Sequence, residues 1–230
     1  MSTQSDPPSW LLGAEAALHA DLPGWFSQFA PPSDPPRRSA VLMLVGESDL
    51  HDGHDIVLTE RSGSLRSHAS QVSFPGGKLD PGETSVDAAL RETWEEVGAE
   101  PAGIEVVGSF PDLWLGPSEN AVTPVLGWWR DPGPLRVVDP GEVARVERIP
   151  VADLVNPANR FMVKGPSGYT GPGFEVAGLF VWGFTAQLLS VLLDAAELTQ
   201  PWDDSAHRRL PWRFVRQYLT RSGARRPTTR

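Results

Sequence analysis

Three glutamates, Glu92, Glu95 and Glu96, occupy positions i, i+3 and i+4 within a segment patterned as a helix. Since an α-helix turns by about 100° per residue, this spacing predicts that all three carboxylates share one face. The predicted helix runs from Thr84, a suitable N-cap, to Val97, with Gly98 as its terminator. Like charges at these spacings destabilise an isolated helix by a few tenths of a kcal/mol per pair, so the cluster indicates a compensating cation.

Carboxylate oxygens favour a hard divalent ion, so the sequence predicts Mg²⁺ or Mn²⁺ at this helix. Mg²⁺ usually takes one or two carboxylates and leaves its other positions to water and substrate phosphate, which indicates phosphoryl chemistry. Gly76 and Gly77 would let the backbone approach a metal or phosphate closely. Arg91 could pair bidentately with Glu83 and fix the loop against the helix. A solvated acidic helix face is the alternative interpretation of the three glutamates alone.

Composition narrows the class of protein. The 230 residues suit one domain, or one domain with appendages, and 40% hydrophobic against 21% charged residues predicts a globular body. A formal net charge of −9 argues against broad nucleic-acid binding. The absence of cysteine excludes disulfides and thiolate catalysis and fits a reducing compartment. No signal peptide is visible in residues 1–10, so a cytoplasmic location is expected.

One uncharged stretch, Val176 to Leu193, is at the lower length limit for a membrane span. Apolar residues recur there in steps of three and four, and polar residues follow the same steps on another face. This pattern is typical of an amphipathic helix packed on a core. We therefore expect no membrane span and predict one long helix from Leu179 to Leu198.

The chain divides into three predicted parts: an N-terminal appendage (residues 1–36), a catalytic domain (37–200) and a C-terminal extension with a mobile basic tail (201–230). One or two short helices are expected between Trp10 and Phe29. Tight turns are predicted at Gly76-Gly77 and Pro81-Gly82, and a short helix at Val151 to Leu154. Strands are predicted for Ser39–Val45, Ile56–Arg61, Ile104–Phe110, Ala121–Trp129 and Glu142–Ile149. Mixed strands with two main helices predict a sheet sandwiched between helices.

The segment from Gly77 to Ala99 resembles the Nudix box, G-x5-E-x7-R-E-U-x-E-E-x-G-U, where U is apolar. The fixed positions are Gly77, Glu83, Arg91, Glu92, Glu95, Glu96 and Gly98, and all of them match. Thr93 departs from the pattern at an apolar packing position. The resemblance implies an α/β/α sandwich with a mixed sheet and a loop–helix–loop catalytic motif. It also implies Mg²⁺ or Mn²⁺ held mainly by Glu92 and Glu96, with Glu95 assisting and Gly77 close to the metal.

The residues just upstream resemble the signature of the coenzyme A pyrophosphatase branch, L-L-T-x-R-[SA]-x3-R-x3-G-x3-F-P-G-G. Val57 replaces its first leucine and Ser70 its central glycine. The resemblance implies substrate binding by Arg61, Arg66, Phe74, Gly76 and Gly77. The guanidinium of an arginine can donate two hydrogen bonds to the oxygens of one phosphate. Two arginines would suit coenzyme A, which has a 3′-phosphate besides its diphosphate. Alternatively, the arginines are surface charges and Phe74 belongs to the core.

The expected reaction is metal-dependent hydrolysis of a diphosphate linkage, giving 3′,5′-ADP and 4′-phosphopantetheine from coenzyme A. The general base stays open among Glu95, Glu96, Glu119 and Glu142. Alternatives are a Nudix hydrolase of another nucleoside diphosphate derivative, such as ADP-ribose or NADH, and a non-catalytic nucleotide-binding regulator. The expected partners are a small-molecule nucleotide and, as an option, a second copy in a homodimer.

Overall fold

The computed structural model describes residues 5–63 and 69–215, which include five α-helices and twelve strands. The helices are α1 (Ser9–Ala20), α2 (Gly24–Gln28), α3 (Ser85–Val97), α4 (Val151–Val155) and α5 (Gly183–Ala195). The strands are β1 (Arg38–Glu47), β2 (His54–Arg61), β3 (Val72–Ser73), β4 (Gly76–Lys78), β5 (Ile104–Ser109), β6 (Leu113–Leu115), β7 (Asn120–Trp129), β8 (Val143–Pro150), β9 (Arg160–Lys164), β10 (Thr170–Val176), β11 (Leu179–Trp182) and β12 (His207–Arg209).

The main sheet is mixed, as predicted. Its backbone path runs β3-β2-β1-β7-β5, while β4 pairs with β1, β6 with β7 and β8 with β2. The long pairing of β1 with β7 is parallel, and the other pairings in this sheet are antiparallel. The sheet carries helices on both faces, so the α/β sandwich expected from the sequence is confirmed.

The two faces of the sheet follow from alternation along β1. Leu42 and Leu44 belong to the core under α3, whereas Met43 and Val45 belong to a larger core shared with α1 and α5. Successive side chains of a strand leave the sheet on opposite faces, so a continuous apolar run supplies both cores. For this reason the sequence of β1 is an uninterrupted apolar run and does not alternate between apolar and polar residues.

The N-terminal helices are part of the larger core. Leu11, Ala14, Leu18 and Phe26 are buried there. Residues 9–28 are therefore packed on the sheet face opposite α3. The domain boundaries given above remain a prediction.

The long closing helix predicted from Leu179 to Leu198 is wrong in its first turn. Leu179–Trp182 is strand β11, and the helix α5 begins at Gly183, whose φ of +67° breaks the strand. A second sheet of order β11-β10-β9-β12 includes this strand, and the sequence patterns did not predict it. Among the described residues, no helix has the length and apolarity to cross a bilayer.

The tight turn predicted at Gly76-Gly77 is also wrong, because these residues form β4 and pair with Val41 and Ala40 of β1. A β-carbon on Gly76, which has φ of +147°, would lie 2.2 Å from the carbonyl oxygen of Ala40. Two adjacent glycines therefore serve close strand approach here rather than chain reversal. The turn predicted at Pro81-Gly82 is confirmed.

Candidate active site on helix α3

Helix α3 forms as the sequence predicts. The Thr84 hydroxyl accepts a hydrogen bond from the backbone N–H of Asp87 (3.1 Å), which caps the first turn. Gly98 ends the helix at φ +77°, and its N–H donates to the carbonyl of Trp94. The unusual Thr93 is fully buried, and its hydroxyl donates to the carbonyl of Ala89 at 2.6 Å. That bond satisfies the hydroxyl, so a polar residue is accommodated at an apolar packing position.

Two glutamates of α3 meet the strand β4. The Gly76 N–H donates to Oε2 of Glu96 at 3.1 Å. The carboxylate of Glu92 lies over Gly77, where an added β-carbon would come within 2.3 Å of its carboxyl carbon. Glycine at both positions thus lets two carboxylates of one helix face converge on a bare stretch of backbone.

Arg91 connects the helix to the preceding loop. Its guanidinium donates two hydrogen bonds to Glu83, of 2.8 and 2.9 Å, in the bidentate arrangement that the sequence indicated. It also donates to the Lys78 carbonyl and, through Nη1, to Glu92 and Glu95, each at 3.0 Å. Sequence patterns miss the Lys78 carbonyl because every residue has one. The fork therefore fixes the loop, the strand end and two carboxylates relative to each other.

Burial sets the protonation of the two convergent carboxylates. Glu96 is only 3% exposed, and this burial raises its pKa to about 7, against the opposing effects of the Gly76 hydrogen bond and the positive charge of Arg61. Burial also raises the pKa of Glu92, against the hydrogen bond from Arg91. The negative charges of Glu92 and Glu142 raise the pKa of Glu96 further. These carboxylates share a negative field that a divalent cation would neutralise.

Glu95 does not join the other two glutamates. Its side chain is half exposed and bound to Arg91. Within residues 5–63 and 69–215, no three histidine, aspartate or glutamate side chains are arranged to hold a metal. Glu92 and Glu96 nevertheless fit Mg²⁺ or Mn²⁺, because such ions need only one or two carboxylates and glycine backbone leaves space for water and phosphate.

The upstream substrate residues lie in different environments. Arg61 ends β2 close enough to Glu96 to lower the pKa of that carboxyl, whereas Phe74 is 2% exposed and packs in the larger core. Burial of Phe74 favours the alternative of a core residue. Arg66 lies outside the described residues. Ser70 has φ of +56°, the left-handed conformation for which the branch signature has glycine.

Of the two later general-base candidates, Glu142 is near the convergent carboxylates. Its charge acts on both Glu92 and Glu96, and its backbone carbonyl accepts from the Ser62 N–H at 2.7 Å. Glu119 lies in the turn between β6 and β7 at φ +51°.

Comparison with known proteins agrees with this geometry. The model of the NUDIX domain family matches residues 36–166, more than half of the chain. The chain belongs to the Nudix family. The match includes β1 to β9, the helix α3 and the two glycines of β4, but not α5.

Curated Nudix relatives are similar over part of their length. Nudix hydrolase 3 of Caenorhabditis elegans is 37% identical over 147 residues, which are 62% of this chain and 61% of that protein. The uncharacterized Nudix hydrolase NudL of Escherichia coli is 37% identical over 60% of this chain and 72% of its own. A solved MutT/nudix family protein from Enterococcus faecalis covers 82% of this chain and 73% of its own, at 18% identity and a TM-score of 0.47.

Proposed function

We propose that this Nudix protein hydrolyses a diphosphate linkage in a nucleoside diphosphate derivative, with Mg²⁺ or Mn²⁺ as cofactor. The observation that carries the proposal is the convergence of Glu92 and Glu96 on the glycine backbone of β4. Such an ion, when bound, supplies charge neutralisation of phosphate oxygens and lowers the pKa of a coordinated water. Phosphoryl transfer needs positioning and charge stabilisation more than covalent chemistry, which suits this residue set.

Each residue of the site has a proposed role. Glu92 and Glu96 hold the cation. Arg91 orients Glu92 and Glu95 through its guanidinium fork and, with Glu83, fixes the loop that leads into the helix.

We propose that Glu142 is the general base, whose carboxylate accepts the proton of the attacking water. Its side chain is exposed, and its charge acts on both Glu92 and Glu96. Glu95 is bound to Arg91 instead, and Glu96 is engaged by Gly76.

Coenzyme A or an acylated derivative is the proposed substrate. The support is the upstream signature. The positive charge of Arg61 acts on Glu96, and Ser70, at the glycine position of the signature, has the left-handed φ of +56° that glycine adopts most easily. The planar guanidinium of an arginine can donate two parallel hydrogen bonds to the oxygens of a phosphate. The ammonium group of a lysine does this less well. Cleavage would give 3′,5′-ADP and 4′-phosphopantetheine.

The decisive experiment is mass identification of the products from coenzyme A, ADP-ribose and NADH, each with Mg²⁺ and with Mn²⁺. Coenzyme A is expected to be cleaved with the highest kcat/KM. Glu96→Gln should lower kcat by about two or more orders of magnitude, since a charged ligand is removed while the fold is kept. Glu100→Gln, a change at an exposed carboxylate just after the helix, is the matched control and should keep wild-type turnover.

Each alternative has its own outcome in that experiment. Preferred cleavage of ADP-ribose or NADH would assign the protein to another substrate branch of the family. The proposal that coenzyme A is the substrate would then be rejected. Nucleotide binding without turnover by any of the three, in folded protein with either metal, would support a non-catalytic regulator instead.

A further inference from the structure

The sheet face opposite α3 carries aromatic rings near the same end of the sheet as Gly76 and Gly77. Trp25 of α2 lies 5.4 Å from Phe29 and 6.4 Å from Phe184 between ring centroids. Trp25 and Phe184 are half-buried against the larger core, and Phe29 is 40% exposed. We call Trp25, Phe29 and Phe184 the aromatic rim.

Hydrogen bonds locate the rim relative to the site. Phe184 is the second residue of α5, and the next residue, Thr185, donates its hydroxyl to the carbonyl of Val72, four residues before Gly76. At the other end of the rim, the carbonyl of Phe29 accepts from the N–H of Trp114 in β6. One end of the aromatic rim therefore lies near the segment that joins β3 to β4, and the other end lies near β6. The start of β1 lies between these two ends.

Arg37 precedes β1 at that same end. Its backbone carbonyl accepts from the Ala121 N–H, so it continues the parallel pairing of β1 with β7. Because successive side chains of a strand alternate between its faces, Arg37 lies on the same face as Ser39 and Val41. Val41 and Trp25 both pack against the larger core. Arg37 is exposed, and its guanidinium donates to the carbonyl of Ser118 at 3.1 Å rather than to a carboxylate.

The neighbouring Arg38 has the opposite orientation. It forms an ion pair with Asp112 at 3.1 Å, and the other oxygen of Asp112 accepts from Thr123, which contacts Ser85 at the start of α3. Two adjacent arginines thus leave the strand on different faces, one paired with a carboxylate and one bonded to a neutral carbonyl.

We infer that Trp25 and Arg37, with Phe29 and Phe184, bind the 3′-phosphorylated adenosine end of coenzyme A. The inference rests on the proposed function. Aromatic rings stack on a base, and an arginine that has no carboxylate partner within residues 5–63 and 69–215 suits a phosphate. Gly77 pairs with Ala40, and Arg37 lies three residues before Ala40, about 10 Å away along the backbone of an extended chain.

The test compares coenzyme A with dephospho-coenzyme A, which lacks the 3′-phosphate, in Arg37→Gln and in its neighbour Arg38→Gln. Arg37→Gln should lower the ratio of kcat/KM for coenzyme A over dephospho-coenzyme A by about tenfold, the loss expected for one charge-assisted contact. Arg38→Gln should leave that ratio at the wild-type value. An unchanged ratio in Arg37→Gln, or equal changes in both variants, would overturn the inference.

The base contact is tested separately. Trp25→Leu should weaken inhibition by 3′,5′-ADP about tenfold and leave inhibition by 4′-phosphopantetheine unchanged, because stacking on a base is lost. Trp212→Leu, at a tryptophan that is 67% exposed, is the control for removing an indole. A larger effect on 4′-phosphopantetheine would assign the rim to the other end of the substrate and reject the inference.

Failure of the proposed function would be recognised independently. If the wild-type protein cleaves neither coenzyme, calorimetric titration with 3′,5′-ADP and with 5′-AMP still reports on the rim. Tighter binding of 3′,5′-ADP that is lost in Arg37→Gln would support the subsite, and equal affinity for both nucleotides would reject it.

Discussion

The carboxylate of Glu92 lies so close to the Cα of Gly77 that a β-carbon there would overlap all three of its terminal atoms. The Glu92 carboxylate thus fills the space that is left by the missing side chain of Gly77, fifteen positions earlier in the chain. Any side chain at position 77 would displace this carboxylate, which links helix α3 to the strand that pairs with β1.

Gly77→Ala tests this relationship. The added methyl group would displace the Glu92 carboxylate, since contacts of 2.3 to 2.5 Å cannot be accommodated. We expect Mg²⁺ affinity and kcat to fall by about tenfold or more, the scale seen when the support of a metal ligand is lost. Calorimetry with Mg²⁺ and steady-state kinetics measure the two effects. Gly133→Ala, where an added β-carbon meets open space, should leave both unchanged.

Glu96→Gln should stabilise the metal-free protein above neutral pH. The pKa of Glu96 is raised to about 7 in the folded state by burial, from 4.5 when unfolded. Its contribution to stability is therefore full below pH 4.5 and is lost as pH rises through 7, a loss of up to about 3 kcal/mol that glutamine avoids. In EDTA, the Tm difference between variant and wild type should grow from pH 5 to pH 8.

Excess Mg²⁺ at pH 8 should narrow that Tm difference, because the cation stabilises the ionised wild-type carboxylate and not the amide. Glu100→Gln should show no pH-dependent difference from wild type. A constant Tm difference between pH 5 and pH 8 would contradict the assignment of a raised pKa to Glu96.

The ion pair of Arg91 with Glu83 has the opposite pH signature. Hydrogen bonds from Arg91 lower the pKa of Glu83 to about 2 in the folded state, from 4.5. This carboxylate thus stabilises the fold above pH 4.5, and the stabilisation is lost as pH falls toward 2. Glu83→Gln should lower the urea midpoint at pH 7, and its difference from wild type should shrink below pH 4.5. An equal deficit at pH 7 and pH 3 would show that the charge is not responsible.

Ser70→Gly should increase stability by about 0.5–1 kcal/mol. Ser70 has φ of +56°, where a residue with a β-carbon is strained and glycine is not, and the greater entropy of unfolded glycine offsets part of the gain. Urea unfolding at pH 7 measures the change. Ser73→Gly in strand β3 should instead destabilise the protein, because extended backbone gives glycine no such advantage.

The sequence by itself determined the helix α3 and the chemistry of its face. Thr84 and Gly98 act on backbone groups within four residues, so their effect can be predicted without tertiary contacts. The strand β1 was equally predictable, because its apolar run is long and bounded by polar residues. The bidentate pair of Arg91 with Glu83 also follows from short separation along the chain.

Tertiary structure decided the residues whose partners are remote in sequence. Thr170–Val176 includes Gly171, Pro172 and Gly173, which disfavour a strand locally, yet pairing with β9 and β11 makes it β10. Glu92, Glu95 and Glu96 are equivalent by spacing, but β4 engages the first and third, while Arg91 holds Glu95 away from the strand. Strand pairing and burial depend on which distant segments meet, and local patterns of residue type do not encode that choice.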